Sequence, residues 1–83
     1  MEKNKIAIVI PVFNEEKTII SILKKVKKIG VPIVINDCST DKTKKLLKKN
    51  FYNFESNSIN LGYSRTLIKG LKNAYLKKFE YVV

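Results

Sequence analysis

Two short polar clusters, each directly after an apolar run, contain the residues of this chain that are best suited to chemistry. The first reads PVFNE, residues 11–15, and follows the run IAIVI. The second reads NDCSTD, residues 36–41, and follows VPIVI. In open α/β sheets, ligands bind beyond the carboxyl ends of the strands. Since each cluster follows a predicted strand, we expect both clusters at that edge of a sheet.

Asp37, at the end of the second apolar run, has the chemistry to bind a pyrimidine base. Uracil presents an N3–H donor between two carbonyl acceptors. An ionised carboxylate can accept that N–H in a charge-assisted hydrogen bond, and backbone N–H groups can serve the carbonyls. Phe13 could pack against the base or the ribose. From the residues alone, a helix-cap or turn role is the commoner one for such an aspartate.

The composition excludes several common catalytic sites. The 83 residues include no histidine and a single cysteine, Cys38, so neither a zinc site nor a histidine-based triad can be built. The first turn has no G-x-G-x-x-G and no Lys-Ser/Thr pair, which disfavours a dinucleotide site or a P-loop. We interpret Cys38 as a small filler rather than a nucleophile, and a lone cysteine fits a reducing compartment.

Strands and helices are predicted to alternate along the chain. Residues 6–12 and 31–35 are continuous β-branched runs, typical of strands buried on both faces, and residues 51–55 and 79–83 predict weaker strands. A first helix is expected from Glu15 to Gly30, a second up to about Lys49, and a third from Tyr63 to about Lys78. The order β-α-β-α-β-α-β with short connections predicts a Rossmann-like three-layer α/β/α fold with a mostly parallel sheet.

Helical spacing also predicts which side chains are buried. The predicted inward positions are Ile19, Ile22, Leu23, Val26 and Ile29 in the first helix, Leu46 and Leu47 in the second, and Leu67, Gly70, Leu71 and Ala74 in the third. Ser39, Thr40 and Asp41 are all competent N-caps for the second helix. The loop between the third strand and the third helix is expected over residues 57–62.

The formal net charge of +10 comes mainly from lysine pairs between apolar helical positions. A charge of this size is compatible with binding to nucleic acid or to an anionic membrane surface. A solvated helix surface is the expected explanation, because Arg65 is the single arginine and nucleic-acid readers use several. The longest apolar run, residues 6–13, is too short to cross a bilayer, and no secretory signal follows the first residues. We therefore expect a cytoplasmic protein.

Three stretches in this order and spacing closely resemble the N-terminal half of family 2 glycosyltransferases. They are IAIVIPVFNEEKTI, VINDCSTDKT and NLGYSRTLIKGLKNA, and the resemblance covers essentially the whole chain. The family consists of inverting, nucleotide-sugar-dependent enzymes with the A fold, and it includes dolichol-phosphate mannose synthase-like proteins. The resemblance implies transfer of a sugar from a nucleoside-diphosphate donor to an acceptor hydroxyl by a single inverting displacement.

The resemblance also assigns nucleotide-binding positions. The family's Pro-aromatic-Asn-Glu element falls on residues 11–15, and its Asp-Asp-x-Ser-x-Asp element falls on residues 36–41, with Asn36 in place of the first Asp. Asn60 and Gly62 match the family's third element, but Tyr63 and Ser64 replace its Lys and second Gly, so a purely loop-shaping role stays equally open. The predicted nucleotide-binding residues are Pro11, Phe13, Asn14, Glu15, Asp37, Ser39, Asn60 and Gly62, with Asp37 holding the base.

In the family, a divalent metal, Mg or Mn, is held on the diphosphate by an Asp-x-Asp element that follows the fourth strand. We expect residues 1–83 to be a partial domain that stops before this element, that contributes neither metal ligands nor catalytic residues, and that is inactive alone. The expected partner is a UDP- or GDP-sugar rather than nucleic acid. An exposed sheet edge would allow homo-oligomers. A non-catalytic basic binding module is the alternative.

Overall fold

Four parallel strands form one sheet in the computed structural model, which describes residues 3–83. A 3₁₀ turn, Lys3–Lys5, precedes the first strand. The strands are β1 (Ile6–Val12), β2 (Val31–Asn36), β3 (Phe54–Ser56) and β4 (Tyr81–Val82). The helices are α1 (Ile19–Val26), α2 (Thr43–Lys49) and α3 (Tyr63–Leu76). The order in the sheet is β3-β2-β1-β4, and every pair is parallel, which confirms the predicted α/β class.

The helices cover both faces of the sheet, as predicted. On one face, α1 and α2 pack on β1 and β2 through a buried cluster of Val12, Ile19, Leu23, Val34 and Leu47. On the other face, α3 packs through a second cluster of Ala7, Val9, Ile33, Ile35 and Ala74. Both faces of β1 and β2 are therefore buried, which is why these strands are continuous apolar runs.

The register of the central strands brings the two polar clusters together. Ile10 pairs with Val34 and Val12 with Asn36, so β1 and β2 end at the same level. The pairing continues one residue further, because the Asp37 N–H donates to the Val12 carbonyl oxygen at 2.7 Å. The connection from β3 to β4 crosses to the other side of β1. In such sheets, ligands bind near the strand where the order reverses.

The observed elements are shorter than predicted at several ends. α1 begins at Ile19 rather than Glu15, because Asn14 has a positive φ of 52° and the Glu15 carbonyl closes a turn with the N–H groups of Thr18 and Ile19. β3 begins at Phe54 rather than Phe51, since Phe51 has a φ of 60° and cannot be extended. β4 is limited to two residues, although Val83 still exchanges backbone hydrogen bonds with β1.

Some predicted inward positions are exposed. Ile22, Ile29 and Leu71 are exposed, because only the faces centred on Leu23 and Gly70 reach the sheet. β3 and β4 are the sheet edges, and pairing of the β4 edge with a second copy stays a prediction. Between Lys3 and Val83, no helix has both the length and the apolar content needed to cross a bilayer.

Gly70 lets α3 approach the sheet closely. A Cβ atom added at Gly70 would lie 2.3 Å from Cγ1 of Val9 and 3.3 Å from Cγ1 of Ile35. The first distance is far inside van der Waals contact, so any side chain here must push α3 away from β1. The absence of a side chain thus fixes the distance between α3 and the strands that end at the polar clusters.

Replacing Gly70 with alanine should lower the free energy of unfolding by about 1–3 kcal/mol, because overpacking the core outweighs the gain of about 1 kcal/mol in helix propensity. Urea unfolding measures the change. Adding Val9→Ala should recover part of the loss, since it removes the atom that clashes. Lys72→Ala, at an exposed position of the same helix, is the control. A Gly70→Ala protein as stable as the parent would contradict the close approach.

Candidate functional site

A cleft of about 260 Å³ opens at the carboxyl ends of β1 and β2. It is lined by Pro11, Val12, Phe13, Asp37, Asn60, Gly62, Tyr63 and Thr66. Five predicted site residues are in this list, and three others, Asn14, Glu15 and Ser39, are not. The volume is slightly below the roughly 300–1,000 Å³ of typical small-molecule sites. The cleft therefore suits part of a ligand, such as a base with its ribose.

The Asp37 carboxylate lies at the back of this cleft and is held by the β3–α3 loop. Asp37 is only 3% exposed. Its Oδ1 accepts hydrogen bonds from the Leu61 N–H at 2.7 Å and from Asn57 Nδ2 at 2.9 Å, and its Oδ2 accepts one from the Gly62 N–H at 2.9 Å. Asn60 Nδ2 donates to the Asp37 carbonyl oxygen at 3.3 Å. One side chain thus fixes the backbone that leads into α3.

These contacts keep Asp37 ionised. Burial by itself raises the pKa of a carboxyl group, but the hydrogen bonds from Leu61, Asn57, Gly62 and Thr66 outweigh it and lower the pKa of Asp37 below its ordinary value of 3.8. A carboxylate has about four acceptor positions. Three are used by Leu61, Asn57 and Gly62. The fourth, on Oδ2, is the position available to a ligand or to the Thr66 hydroxyl.

Asn57, Thr66 and Lys69 form a second layer behind Asp37. Asn57 is buried and its Nδ2 also donates to Thr66 Oγ1 at 3.2 Å. The Asn57 Oδ1 accepts from Lys69 Nζ at 2.7 Å, which fixes the amide so that its NH₂ group faces Asp37. We did not predict these residues as part of the site. Thr66 lies at i, i+4 and i+8 with Gly70 and Ala74, a spacing that could have revealed it as buried.

Asn14 and Ser39 connect the β1–α1 and β2–α2 loops rather than lining the cleft. The Asn14 Oδ1 accepts from the Thr40 N–H at 2.7 Å and the Asp41 N–H at 3.2 Å. The Asn14 N–H donates to Ser39 Oγ at 3.0 Å, and its Nδ2 donates to Thr40 Oγ1 at 3.1 Å. The predicted caps Ser39 and Thr40 therefore do not cap α2, because their hydroxyls bond to Asn14.

Asp41 and Thr43 complete the same junction. The Asp41 Oδ1 accepts the Thr43 N–H at 2.9 Å, at the first residue of α2, so Asp41 serves the helix as predicted although it is not the N-cap residue. The Asp41 Oδ2 accepts the Glu16 N–H at 3.2 Å, and the Glu15 N–H donates to Thr43 Oγ1 at 3.0 Å. Burial opposes ionisation, but the hydrogen bonds from Thr43 and Glu16 hold the pKa of Asp41 below its ordinary value.

The site residues do not form a metal centre. Within residues 3–83, no group of three or more His, Cys, Asp or Glu side chains is placed to hold a metal ion. The carboxylates of Asp37 and Asp41 are both occupied by N–H donors. The Cys38 Sγ lies 3.7 Å from the Ser58 carbonyl oxygen, a contact between loops. Carboxylates that already accept N–H groups, and a single thiol, do not fit a divalent cation. Metal binding elsewhere in a longer enzyme stays a prediction.

The sequence model of a family described as Glycosyl transferase family 2 matches residues 7–83. The chain belongs to this family. It is also similar to the uncharacterized protein MJ1222 of Methanocaldococcus jannaschii, with 36% identity over 85 aligned positions that cover 100% of this chain and 35% of that protein. The uncharacterized protein MJ0544 of the same organism is 36% identical over 84 positions, covering 90% of this chain and 36% of that protein. This glycosyltransferase family 2 chain thus spans about a third of the length of these curated relatives. No solved structure matches it significantly.

Asp37→Asn should lower the free energy of unfolding at neutral pH by about 2–3 kcal/mol, because hydrogen bonds to a charged acceptor are lost and one amide NH₂ faces N–H donors. The pKa of Asp37 is lower in the folded than in the unfolded chain, so its stabilising effect is complete above the unfolded pKa and is lost as pH falls through the folded pKa. Urea midpoints measured from neutral pH to about pH 3 should therefore fall less steeply in the variant.

Glu80→Gln is the control for this experiment, because Glu80 is an exposed carboxylate in the α3–β4 connection, away from the cleft, and its ion pair with Lys5, at 3.5 Å, is at the surface. The variant should have the same urea midpoint as the parent at neutral pH, and that midpoint should fall with pH as steeply as in the parent. If Asp37→Asn and the parent lost stability equally between neutral and acid pH, the interpretation of Asp37 as an ionised carboxylate that holds the β3–α3 loop would be wrong.

Proposed function

We propose that this chain binds the donor nucleotide of an inverting, nucleotide-sugar-dependent glycosyltransferase. The observation that supports this most is an ionised, nearly buried Asp37 at the back of a cleft at the carboxyl ends of β1 and β2. An apolar cleft with one oriented hydrogen-bond acceptor is typical of a site that binds a planar ligand with hydrogen-bonding groups at its edge. Membership of glycosyltransferase family 2 makes a nucleotide sugar the ligand class that fits best.

In this proposal, Asp37 accepts the N3–H of a uracil base. The Thr66 hydroxyl hydrogen can rotate, so the remaining position on Oδ2 can exchange Thr66 for the base. Phe13 is 46% exposed at the cleft, where its ring can pack on the base or ribose. The cleft holds this part of the nucleotide, and the diphosphate and sugar extend beyond it.

Asn14, Glu15 and Ser39 support nucleotide binding indirectly in this proposal. They join the loops after β1 and β2, and Phe13 is the neighbour of Asn14 in the chain. Holding the two loops together fixes the distance between Phe13 and Asp37. In this proposal the three residues position the cleft, and their direct contact with a nucleotide stays a prediction.

Sugar transfer itself is proposed for the whole enzyme. The acceptor hydroxyl would lose its proton to a base and attack the donor sugar as the nucleoside diphosphate departs, with inversion at the carbon attacked. Within residues 3–83, no three His, Cys, Asp or Glu side chains lie together to hold a metal ion that would stabilise that departure. The 83-residue chain is accordingly expected to bind the nucleotide weakly and to transfer no sugar.

UDP should bind more tightly than UDP methylated at N3, because the methyl group removes the N–H that Asp37 accepts. We expect a weakening of about tenfold or more, since a charge-assisted hydrogen bond contributes roughly 1.5–3 kcal/mol. Amide chemical shifts measured during titration give both affinities. Shifts for UDP should be largest at Leu61 and Gly62, whose N–H groups share the carboxylate with the base.

Phe13→Ala should also weaken UDP binding, whereas Phe51→Ala, an exposed aromatic outside the cleft, should not. Both variants leave the Asp37 contacts in place, so a loss of binding cannot be attributed to an unfolded loop. Equal affinity for UDP and its N3-methyl form would contradict base reading by Asp37.

A further inference from the structure

All three helices end at the edge of the sheet opposite the cleft, and that edge is basic and partly apolar. In a parallel sheet, each crossover helix runs back from the carboxyl end of one strand to the amino end of the next. We call the segments at these helix ends the amino end of the molecule. It comprises residues 24–29, 48–51 and 75–78. Lysines dominate it: Lys24, Lys25, Lys27, Lys28, Lys48, Lys49, Lys77 and Lys78.

Helix stability accounts for the charge of the amino end but not for its apolar residues. Lysines in the last turn of a helix interact favourably with the helix dipole. Ile29, Phe51 and Leu76 gain nothing from that dipole, yet they are 61%, 94% and 76% exposed. Tyr75 is exposed beside Leu76. Each helix therefore ends in a lysine pair accompanied by a bare apolar side chain.

Phe51 is the least explained of these residues within this chain. Its φ of 60° belongs to the C-cap of α2, where the Phe51 N–H donates to the Lys48 carbonyl and the Tyr52 N–H to the Leu47 carbonyl, but its ring is almost fully in water. It borders a groove with Lys27, Val31 and Pro32, and the Lys27 ammonium lies 5.0 Å from the centre of the neighbouring Tyr52 ring. Glycine is the usual residue at this C-cap position, so a large exposed ring there, next to Lys48 and Lys49 in the chain, favours a role in binding.

We propose that the amino end is a docking surface for an anionic bilayer. Clustered lysines are attracted to acidic headgroups, and Phe51, Ile29 and Leu76 enter the interface between headgroups and acyl chains. A second copy of the chain would bring like charges together. Nucleic acid fits less well, because Arg65, the single arginine, is on the first turn of α3 at the other end of the molecule.

Docking in this way leaves the cleft open to water. The amino end and the cleft are at opposite edges of the same sheet, so a chain docked through its helix ends presents Asp37 and Phe13 away from the lipid. The cytoplasmic location expected from the sequence would bring this surface to the leaflet that carries anionic lipids. The proposal is independent of which nucleotide the cleft binds, since the two surfaces share no residue.

The test is co-sedimentation of the purified chain with vesicles of phosphatidylcholine alone and with about one-third phosphatidylglycerol. The chain should sediment with the anionic vesicles only, and less so as salt screens the headgroups. Lys48→Gln with Lys49→Gln should lower the partition coefficient by roughly five-fold for each lysine. The matched control is Lys44→Gln with Lys45→Gln, which removes the same charge from the cleft end of the same helix and should have a much smaller effect.

The variant Phe51→Asn tests whether the Phe51 ring inserts into the bilayer, without a change in the stability of the fold. Asparagine tolerates a positive φ, so the variant should be as stable as the parent in urea while binding anionic vesicles at least several-fold more weakly. Equal losses for the two lysine pairs would show an effect of net charge alone and would overturn the proposal. Binding to duplex DNA without binding to anionic vesicles would overturn it as well, and would assign the amino end to nucleic acid.

Discussion

The hydrogen bonds between the Asp37 carboxylate and the N–H groups of Leu61 and Gly62 are the constraint on which the rest of the structure depends. Asp37 follows β2 at the centre of the sheet. Leu61 and Gly62 lead into α3, which covers the face of the sheet opposite α1 and α2. The carboxylate thus ties the end of a strand to the start of α3. Because Gly70 brings α3 close to Val9, the position at which α3 starts also sets how that helix packs on β1.

A second junction, centred on Asn14, holds the other side of the cleft. The Asn14 side chain accepts hydrogen bonds from two N–H groups of the β2–α2 loop and donates one to Thr40. The paired residues of β1 and β2 end at Val12 and Asn36, and beyond them the Asn14 amide links the two loops. The cleft is therefore bounded by three loops joined through side chains to backbone groups. Such bonds are directional, and they leave little freedom in the distance between Phe13 and Asp37.

The sheet and the location of the site could be predicted from the sequence, since continuous apolar runs mark buried parallel strands and ligands bind at their carboxyl ends. Pro11, Phe13 and Asp37 line the cleft for that reason. Asn60 and Gly62 also line it, but they were predicted from the family resemblance. The partners of those residues could not be predicted. Periodicity reports which side of a helix is apolar, but it carries no information on the backbone of residues 57–62, in which the N–H groups of Leu61 and Gly62 bond to Asp37. The start of α1 was misplaced for the same reason, because Asn14 adopts a positive φ that Glu15 and Glu16 do not reveal.

In the proposed complex, Asp37 would affect the β3–α3 loop when it accepts the base N–H, because the same carboxylate holds both. A ligand N–H at Oδ2 of this complex would share its acceptor with the Gly62 N–H. Coupling of this kind is reciprocal: a nucleotide that binds more tightly when residues 57–62 are ordered must order them in return. Lys69 extends the coupling into α3 through Asn57, since the ammonium fixes the amide that faces Asp37. Nucleotide binding in the cleft should therefore stabilise α3 along its length, including the turns beyond Tyr63 and Thr66 that do not line the cleft.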